Sequence, residues 1–254
     1  MKKRIISGAV IGIYAIICLY FGGWFYWPVV AFIGLYGLYE FCSTRNKPVN
    51  WLEYAIMVIY MVLLNAFYEK ALGLTLWLIV FLITLAIFDE SVDFDDAAAS
   101  FIESVILSFA VYQMIHVQLE NKWLLGYVVI IAFVTDVFAY FTGMKFGKHK
   151  LNERISPKKT IEGFIGGWLF GGLTSFIYAW FCNFFGIGLA FILVCSIILP
   201  IVSQIGDLAF SLIKRHYGVK DFSQIIPGHG GVMDRFDSLT FTLLIYGAIS
   251  VFLR

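Results

Sequence analysis

Charge is what this sequence has least of. Of its 254 residues, 14% are Asp, Glu, Lys or Arg and 61% are hydrophobic, with a mean hydropathy of +0.86. Eighteen basic and seventeen acidic residues are too few to clothe a soluble domain of this length, so a water-soluble globule is excluded. The near-neutral balance, +1 at pH 7, excludes bulk nucleic-acid binding, which shows as a strongly basic face. Cysteine is scarce as well: Cys18, Cys42, Cys182 and Cys195 stand in or beside apolar stretches without CxxC spacing. They indicate neither a disulfide framework nor a zinc site and read as small buried hydrophobes. The patterns GxxxxGK[ST], GxGxxG, GxSxG and HExxH are all missing, so a bound nucleotide is not held by a P-loop or a Rossmann unit. Of His116, His149, His216 and His229, only His229 stands in site-like surroundings.

What is present is a succession of apolar runs. A hydrocarbon core about 30 Å thick needs roughly 20 residues of helix. About nine runs at or near that length occupy residues 5–21, 25–41, 51–67, 71–88, 97–117, 123–144, 161–185, 187–213 and 236–253, the third being short. The first follows Met1, Lys2, Lys3 and Arg4, and a second run begins straight after Gly22 and Gly23, so the first reads as a retained signal anchor. Lys and Arg remain on the cytoplasmic side of a membrane. Placing the N-terminus there puts fifteen on that side against three, Lys70, Lys122 and Arg254, on the other. The expectation is an all-α polytopic integral membrane protein of about nine transmembrane helices with a cytoplasmic N-terminus, in the cytoplasmic (inner) membrane. Residues 1–120 form an N-terminal region of about five helices. Residues 121–254 form a catalytic region whose polar loops, 145–160 and 214–235, face the cytoplasm. Trp24, Tyr26, Trp27, Trp51, Trp123 and Tyr127 flank these spans as interface anchors. Gly163, Gly167 and Gly171, four apart, mark a close helix approach.

A carboxylate at mid-membrane costs about 2.5–3.5 kcal/mol and is functional by default. Asp136 and Asp207 are such residues; Glu40, Glu53 and Glu103 lie near span ends, where snorkelling accounts for them. Ser203, Asp207 and Ser211 follow one another at four and Lys214 comes three later, giving one helix a polar stripe that points to a lined cavity. Beyond it, Lys214, Arg215, Lys220 and Arg235 offer positive charge to phosphates. The turn Pro227-Gly228-His229-Gly230-Gly231 lets backbone N–H groups approach an anion. Asp234 and Asp237, three apart where the last helix begins, suit a hard cation. In Ser156-Pro157-Lys158-Lys159-Thr160, Ser156 reads as a cap and Pro157 as the first helical residue, so that helix start and its lysines would face an anion. The acidic stretch Asp89, Glu90, Asp93, Asp95 and Asp96 lacks the glycine and closing Glu of a calcium loop, and Asp95 and Asp96 favour the start of the next helix. Phosphate plus magnesium chemistry is the reading these residues share.

Residues 211–237 resemble the signature of the phosphatidate cytidylyltransferase (CDP-diacylglycerol synthase) family. The likeness is carried by Ser211, Lys214, Arg215, Lys220, Asp221, Ser223, Pro227, His229, Gly230, Gly231, Asp234, Arg235 and Asp237. It extends upstream through Thr135-Asp136, Ala139-Tyr140, Gly143, Phe146-Gly147-Lys148, Ser156 to Thr160 and Glu162-Gly163, covering roughly the second half of the chain. Ile161 stands where the family would have an aromatic. The resemblance implies transfer of CMP from CTP to phosphatidate, giving CDP-diacylglycerol and pyrophosphate for phospholipid biosynthesis. Magnesium is its implied cofactor, with a second metal ion left open, and a homodimer its implied assembly. Read together with the spacing, it makes Asp207 and Asp234 the first metal ligands, with Asp237 and Asp136 next. Lys214, Arg215, Lys220, Asp221 and Arg235 take catalytic positions, and Lys158, Lys159, Ser156, Ser211, His229, Gly230 and Gly231 bind substrate. A CTP-dependent transferase or kinase acting on another membrane lipid is the alternative that substrate profiling separates. A transporter would show paired repeats with interrupted helices, and neither is found in the sequence.

Overall fold

The computed structural model describes residues 17, 18, 20–45, 47–226 and 230–253. Along them run α1 (Gly23–Thr44), α2 (Trp51–Ala66), α3 (Ala71–Phe88), α4 (Phe94–Glu120), α5 (Lys122–Phe146), a hairpin of β1 (Lys150–Asn152) and β2 (Ser156–Thr160), α6 (Ile161–Phe181), α7 (Leu189–His216) and α8 (Met233–Leu253). Among the described residues, seven helical stretches are long and apolar enough to cross a membrane, while α2, at 16 residues, is shorter. Leu72, Phe88, Phe181 and Phe252 are each more than three-quarters exposed, and a surface of that kind requires an apolar solvent. The architecture is that of an all-α polytopic integral membrane protein. The first expected span falls largely outside the described residues.

Helix starts are fixed by side chains that accept the otherwise unpaired N–H groups. Asn50 Oδ1 accepts from the amides of Leu52 and Glu53 at the start of α2, and Asn121 Oδ1 from Trp123 at the start of α5. Asp93 and Asp96 cap α4 reciprocally: Asp96 N donates to Asp93 Oδ1 at 2.8 Å and Asp93 N to Asp96 Oδ2 at 3.3 Å. Asp95 and Asp96 thus stand in the first turn of α4, as expected. Helix ends run past the apolar runs. Lys214 and Arg215 occupy the last turn of α7, and Asp234 lies in the first turn of α8. Cations at a C-terminus and acids at an N-terminus complement the helix dipole, so these polar residues extend helices instead of opening a loop.

The chain divides into two compact units. The first comprises Met1–His116 with Asp221–Arg235, and the second Val117–Lys220 with Phe236–Arg254. In the first, Glu53 and Glu103 do not snorkel. Arg45 Nη1 lies 2.7 Å from Glu53 Oε1, and Nη2 lies 3.0 Å from Glu103 Oε2 and 2.6 Å from Ser100 Oγ, all of them buried. Burial of a charge is tolerated when it is paired and hydrogen-bonded, and Arg45 stands 8 residues from Glu53 and 58 from Glu103 in sequence. Tyr26 is not an interface anchor either: it is buried, its hydroxyl donating to Met114 O at 2.7 Å. Trp24 and Trp51 are exposed, as that role requires.

In the second unit α5 and α6 lie against each other along the predicted glycine seam. A Cβ on Gly163 would sit 2.7 Å from Ala139 O, and one on Gly167 2.8 Å from Thr135 O. Backbone meets backbone there, which only small residues allow. Tyr127, expected at the interface, is buried with its hydroxyl 2.8 Å from Ser196 Oγ.

Candidate active site

The second unit contains a cavity of about 320 Å³. Asp136, Ala139, Tyr140, Gly143 and Met144 of α5, Lys158, Lys159 and Thr160 of β2, Gly163 and Phe164 of α6, and Gln204 and Asp207 of α7 are among its walls. Gly143 and Gly163 stand in its wall where α5 and α6 approach closely, and bulkier residues there would hold the two helices apart. Lys159 Nζ stands 2.5 Å from Asp207 Oδ2. Ser211 Oγ, one turn along α7, is 3.4 Å from Asp207 Oδ1, so part of the predicted polar stripe forms. Asp237, buried in the first turns of α8, lies within electrostatic range of Asp207, Asp136 and Lys214. Three helices therefore bring three carboxylates into one neighbourhood, with Lys159 and Lys214 beside them.

The lysines reach the cavity from a strand, which corrects the expected helix start at Ser156. Residues 156–160 pair antiparallel with β1, Asn152 opposite Ser156 and Lys150 opposite Thr160. Helix α6 begins at Ile161, capped by Thr160, whose Oγ1 accepts from Gly163 N at 3.1 Å. Strand pairing took the segment that a local Ser-Pro pattern marked as helical. Glu162 fastens the hairpin by accepting from Lys148 N at 3.0 Å and by meeting His149 Nδ1 at 2.6 Å. Arg215 ties α7 to the same region: Nε donates to Ile155 O at 3.4 Å, and Nη1 to Val219 O at 2.9 Å. Lys220 is exposed just beyond.

The remaining signature residues belong to the first unit. Asp234 Oδ2 accepts from the amides of Phe222 and Gly231, each at 2.9 Å, so it braces the loop that carries it. The Gly231 amide, expected to approach a substrate anion, is instead taken by the chain's own aspartate. Gly230 has φ +85°, and a Cβ there would sit 2.8 Å from Asp234 Oδ2, so this position requires glycine. Asp221 and Arg235 are exposed; His229 lies outside the described residues. Sequence reasoning missed Glu40. It is completely buried, and its carboxylate accepts from Ser223 Oγ at 2.5 Å, Val232 N at 2.9 Å and Met233 N at 2.7 Å. An acid inside an otherwise apolar helix was the available signal.

Magnesium takes hard oxygen donors, commonly one or two carboxylates completed by substrate phosphates and water. Asp136 and Asp207 on the cavity wall, with Asp237 close behind, supply donors of that kind. Among the described residues, no group of three or more acidic, histidine or cysteine side chains is arranged to hold a metal ion by itself.

A phosphatidate cytidylyltransferase of Staphylococcus haemolyticus is 47% identical over 117 residues, 46% of this chain and 45% of that protein. One from Staphylococcus saprophyticus is 39% identical over 150 residues, 59% of this chain and 57% of that protein. One from Bacillus subtilis is 27% identical over 266 residues, 99% of this chain and 98% of that protein. The matched stretch thus spans about half of each staphylococcal relative and nearly all of the Bacillus one. The Cytidylyltransferase family profile matches residues 2–253, and the chain belongs to that family.

Proposed function

We propose that the chain transfers CMP from CTP to phosphatidate, forming CDP-diacylglycerol and pyrophosphate. The observation that carries this reading is the cavity in which Lys158 and Lys159 face Asp136 and Asp207 within a membrane-embedded unit. An oxygen of the lipid phosphate attacks the α-phosphorus of CTP; the bond to the β-phosphate oxygen breaks, and pyrophosphate leaves with the electron pair. A phosphate monoester has a second pKa near 6, so the nucleophile is already mostly anionic at neutral pH and needs no strong base. Positioning and charge neutralisation are what remains for the protein to supply. Lys158 and Lys159 hold a phosphate at the cavity; Lys214, Arg215, Lys220 and Arg235 serve the triphosphate or the departing pyrophosphate. Ser156, Ser211, Gly230 and His229 assist in substrate binding, and Asp221 orients Lys220. Bound through Asp207, Asp136, Asp237 or Asp234, magnesium would neutralise charge building on the phosphates.

The same proposal includes nine spans with the N-terminus in the cytoplasm, supported by the one-sided placement of Lys and Arg. It sets the protein in the inner membrane with the active site facing CTP in the cytoplasm; homodimerisation rests on family likeness alone. The deciding experiment incubates purified protein in mixed micelles with phosphatidate, labelled CTP and magnesium, and looks for labelled lipid. Labelled CDP-diacylglycerol that disappears with chelator is the expected result. Its absence with phosphatidate, together with label on a different lipid acceptor, would overturn the choice of substrate.

A further inference from the structure

Helix α8 begins at Met233. The residue before its first turn is Val232, whose side chain cannot accept a hydrogen bond, although an N-terminus needs acceptors for its leading N–H groups. The acceptor comes from α1. Glu40 Oε2 takes the Met233 amide at 2.7 Å, while Oε1 takes the Val232 amide at 2.9 Å and faces the Ser223 hydroxyl at 2.5 Å. A carboxylate against a helix N-terminus is also favoured by the helix dipole.

The seat around it is built to fit. A Cβ on Gly231 would run into both Glu40 carboxylate oxygens, so the backbone comes as close to the acid as glycine permits. Phe222, buried, packs edge-on against Phe41 at 5.3 Å between ring centres. Thr44 Oγ1 donates to Glu40 O at 2.6 Å and reaches Phe222 O at 3.5 Å. One turn and a half of α1 therefore grips the signature loop at both ends, at Phe222-Ser223 and at Gly231 to Met233.

We propose that Glu40 is the positioning residue of the signature loop, setting the place of Asp221, Asp234 and Arg235 without touching substrate itself. What the loop is positioned to do rests on the cytidylyltransferase reading; that the loop is held by Glu40 does not. Glu40 thus takes the Met233 amide that opens α8 and the Val232 amide just before it.

The test uses the full chain in detergent and the variants Glu40→Gln, Glu40→Asp and Ser223→Ala, with hydrogen exchange and CTP kinetics measured on each. Glutamine is isosteric, but its amide turns a donor toward the Met233 N–H, so one buried hydrogen bond is lost. In Glu40→Gln, exchange in peptides covering residues 221–235 is expected to speed up about tenfold or more, the size of effect expected from losing such a bond, while α5, α6 and α7 exchange as in wild type. KM for CTP should rise together with a fall in kcat, and Glu40→Asp, which keeps the charge on a shorter arm, should recover part of both. Ser223→Ala removes one contact and should give a smaller effect in the same peptides. Faster exchange throughout the chain, or a lower maximal rate at unchanged KM, would reduce Glu40 to a general stabiliser and overturn the proposal, as would wild-type exchange in Glu40→Gln. Wild-type protein that makes no labelled lipid, yet shows the localised exchange on Glu40→Gln, would reject the enzymatic reading and leave the clamp standing.

Discussion

Lys159 Nζ and Asp207 Oδ2 lie 2.5 Å apart, an ammonium carried on a strand against a carboxylate carried on α7. Both side chains are about a quarter exposed, to the cavity they line. A pair in this situation is held where it forms but open to exchange, since an incoming phosphate competes for the lysine and an incoming cation for the aspartate.

Asp207→Asn keeps the shape of the side chain and removes its charge. Turnover is expected to fall about 100-fold or more, on the scale found when metal sites lose even supporting groups, with the circular dichroism spectrum unchanged. Lys159→Met should raise KM for one substrate more than it lowers kcat. Near-normal turnover in Asp207→Asn would remove this residue from the site.

Arg45 holds Glu53 and Glu103 in a buried cluster of the first unit. Replacing it by Met leaves two buried carboxylates without their cation, and truncating one partner of such a network costs about 3–5 kcal/mol. A large drop in melting temperature in detergent is the expected outcome. Adding Glu53→Gln and Glu103→Gln to the same variant should restore part of the loss, because no unpaired charge then remains.

Gly167 and Gly73 test the glycine seam against an internal control. A Cβ at Gly167 meets backbone of α5 within 2.8 Å, whereas one at Gly73 meets nothing within 4 Å. Gly167→Leu is expected to abolish or sharply reduce the yield of folded protein. Gly73→Ala should be neutral or slightly stabilising, as alanine is the better helix former. Equal thermal stability of the two variants would contradict the close approach of α5 and α6.

Acid should loosen the cap of α4. Lys47 Nζ donates to Asp93 Oδ2 at 2.6 Å and to Asp96 Oδ2 at 2.8 Å. The bond from Lys47, followed by that from the Asp96 amide, holds the Asp93 carboxyl below its ordinary range. A value lower in the folded state than in the unfolded chain means that the stabilisation is fully present above the unfolded value, about 3.9 for Asp. It is lost as pH falls through the folded value. Melting temperature measured from about pH 6 down to about pH 3 should decline in the acid range, and decline less steeply in Lys47→Ala. Identical acid slopes in the two proteins would separate Asp93 from this loss.

The sequence made visible whatever is encoded within a few residues. Asp136 and Asp207 stand out because each is an acid inside an apolar run, and both line the cavity together with Lys158 and Lys159. The glycine seam was visible for the same reason. Glu40 and Glu103 were misjudged because their partners lie far along the chain, 192 residues away for Glu40 and Val232 and 58 for Glu103 and Arg45; Glu53 meets Arg45 only 8 residues away, across the turn between α1 and α2, so its signal was local and was overlooked. Ser156-Pro157 failed in the opposite sense: a local pattern valid for a helix start was overruled by pairing with Lys150–Asn152, and Thr160 took the cap. The signature loop itself was legible as chemistry. Its internal bracing by Asp234 and its external bracing by Glu40 were not, since each depends on how the backbone turns.

The grip of Glu40 on Val232 also has a consequence in time. The two residues are 192 positions apart, and at a synthesis rate of about 5–20 residues per second the ribosome takes roughly 10–40 s to travel from one to the other. Throughout that interval the helix bearing Glu40 has already been made, and the amides its carboxylate will accept have not. A nascent chain halted before Val232 therefore carries Glu40 without the two backbone amides that it accepts from in the folded protein.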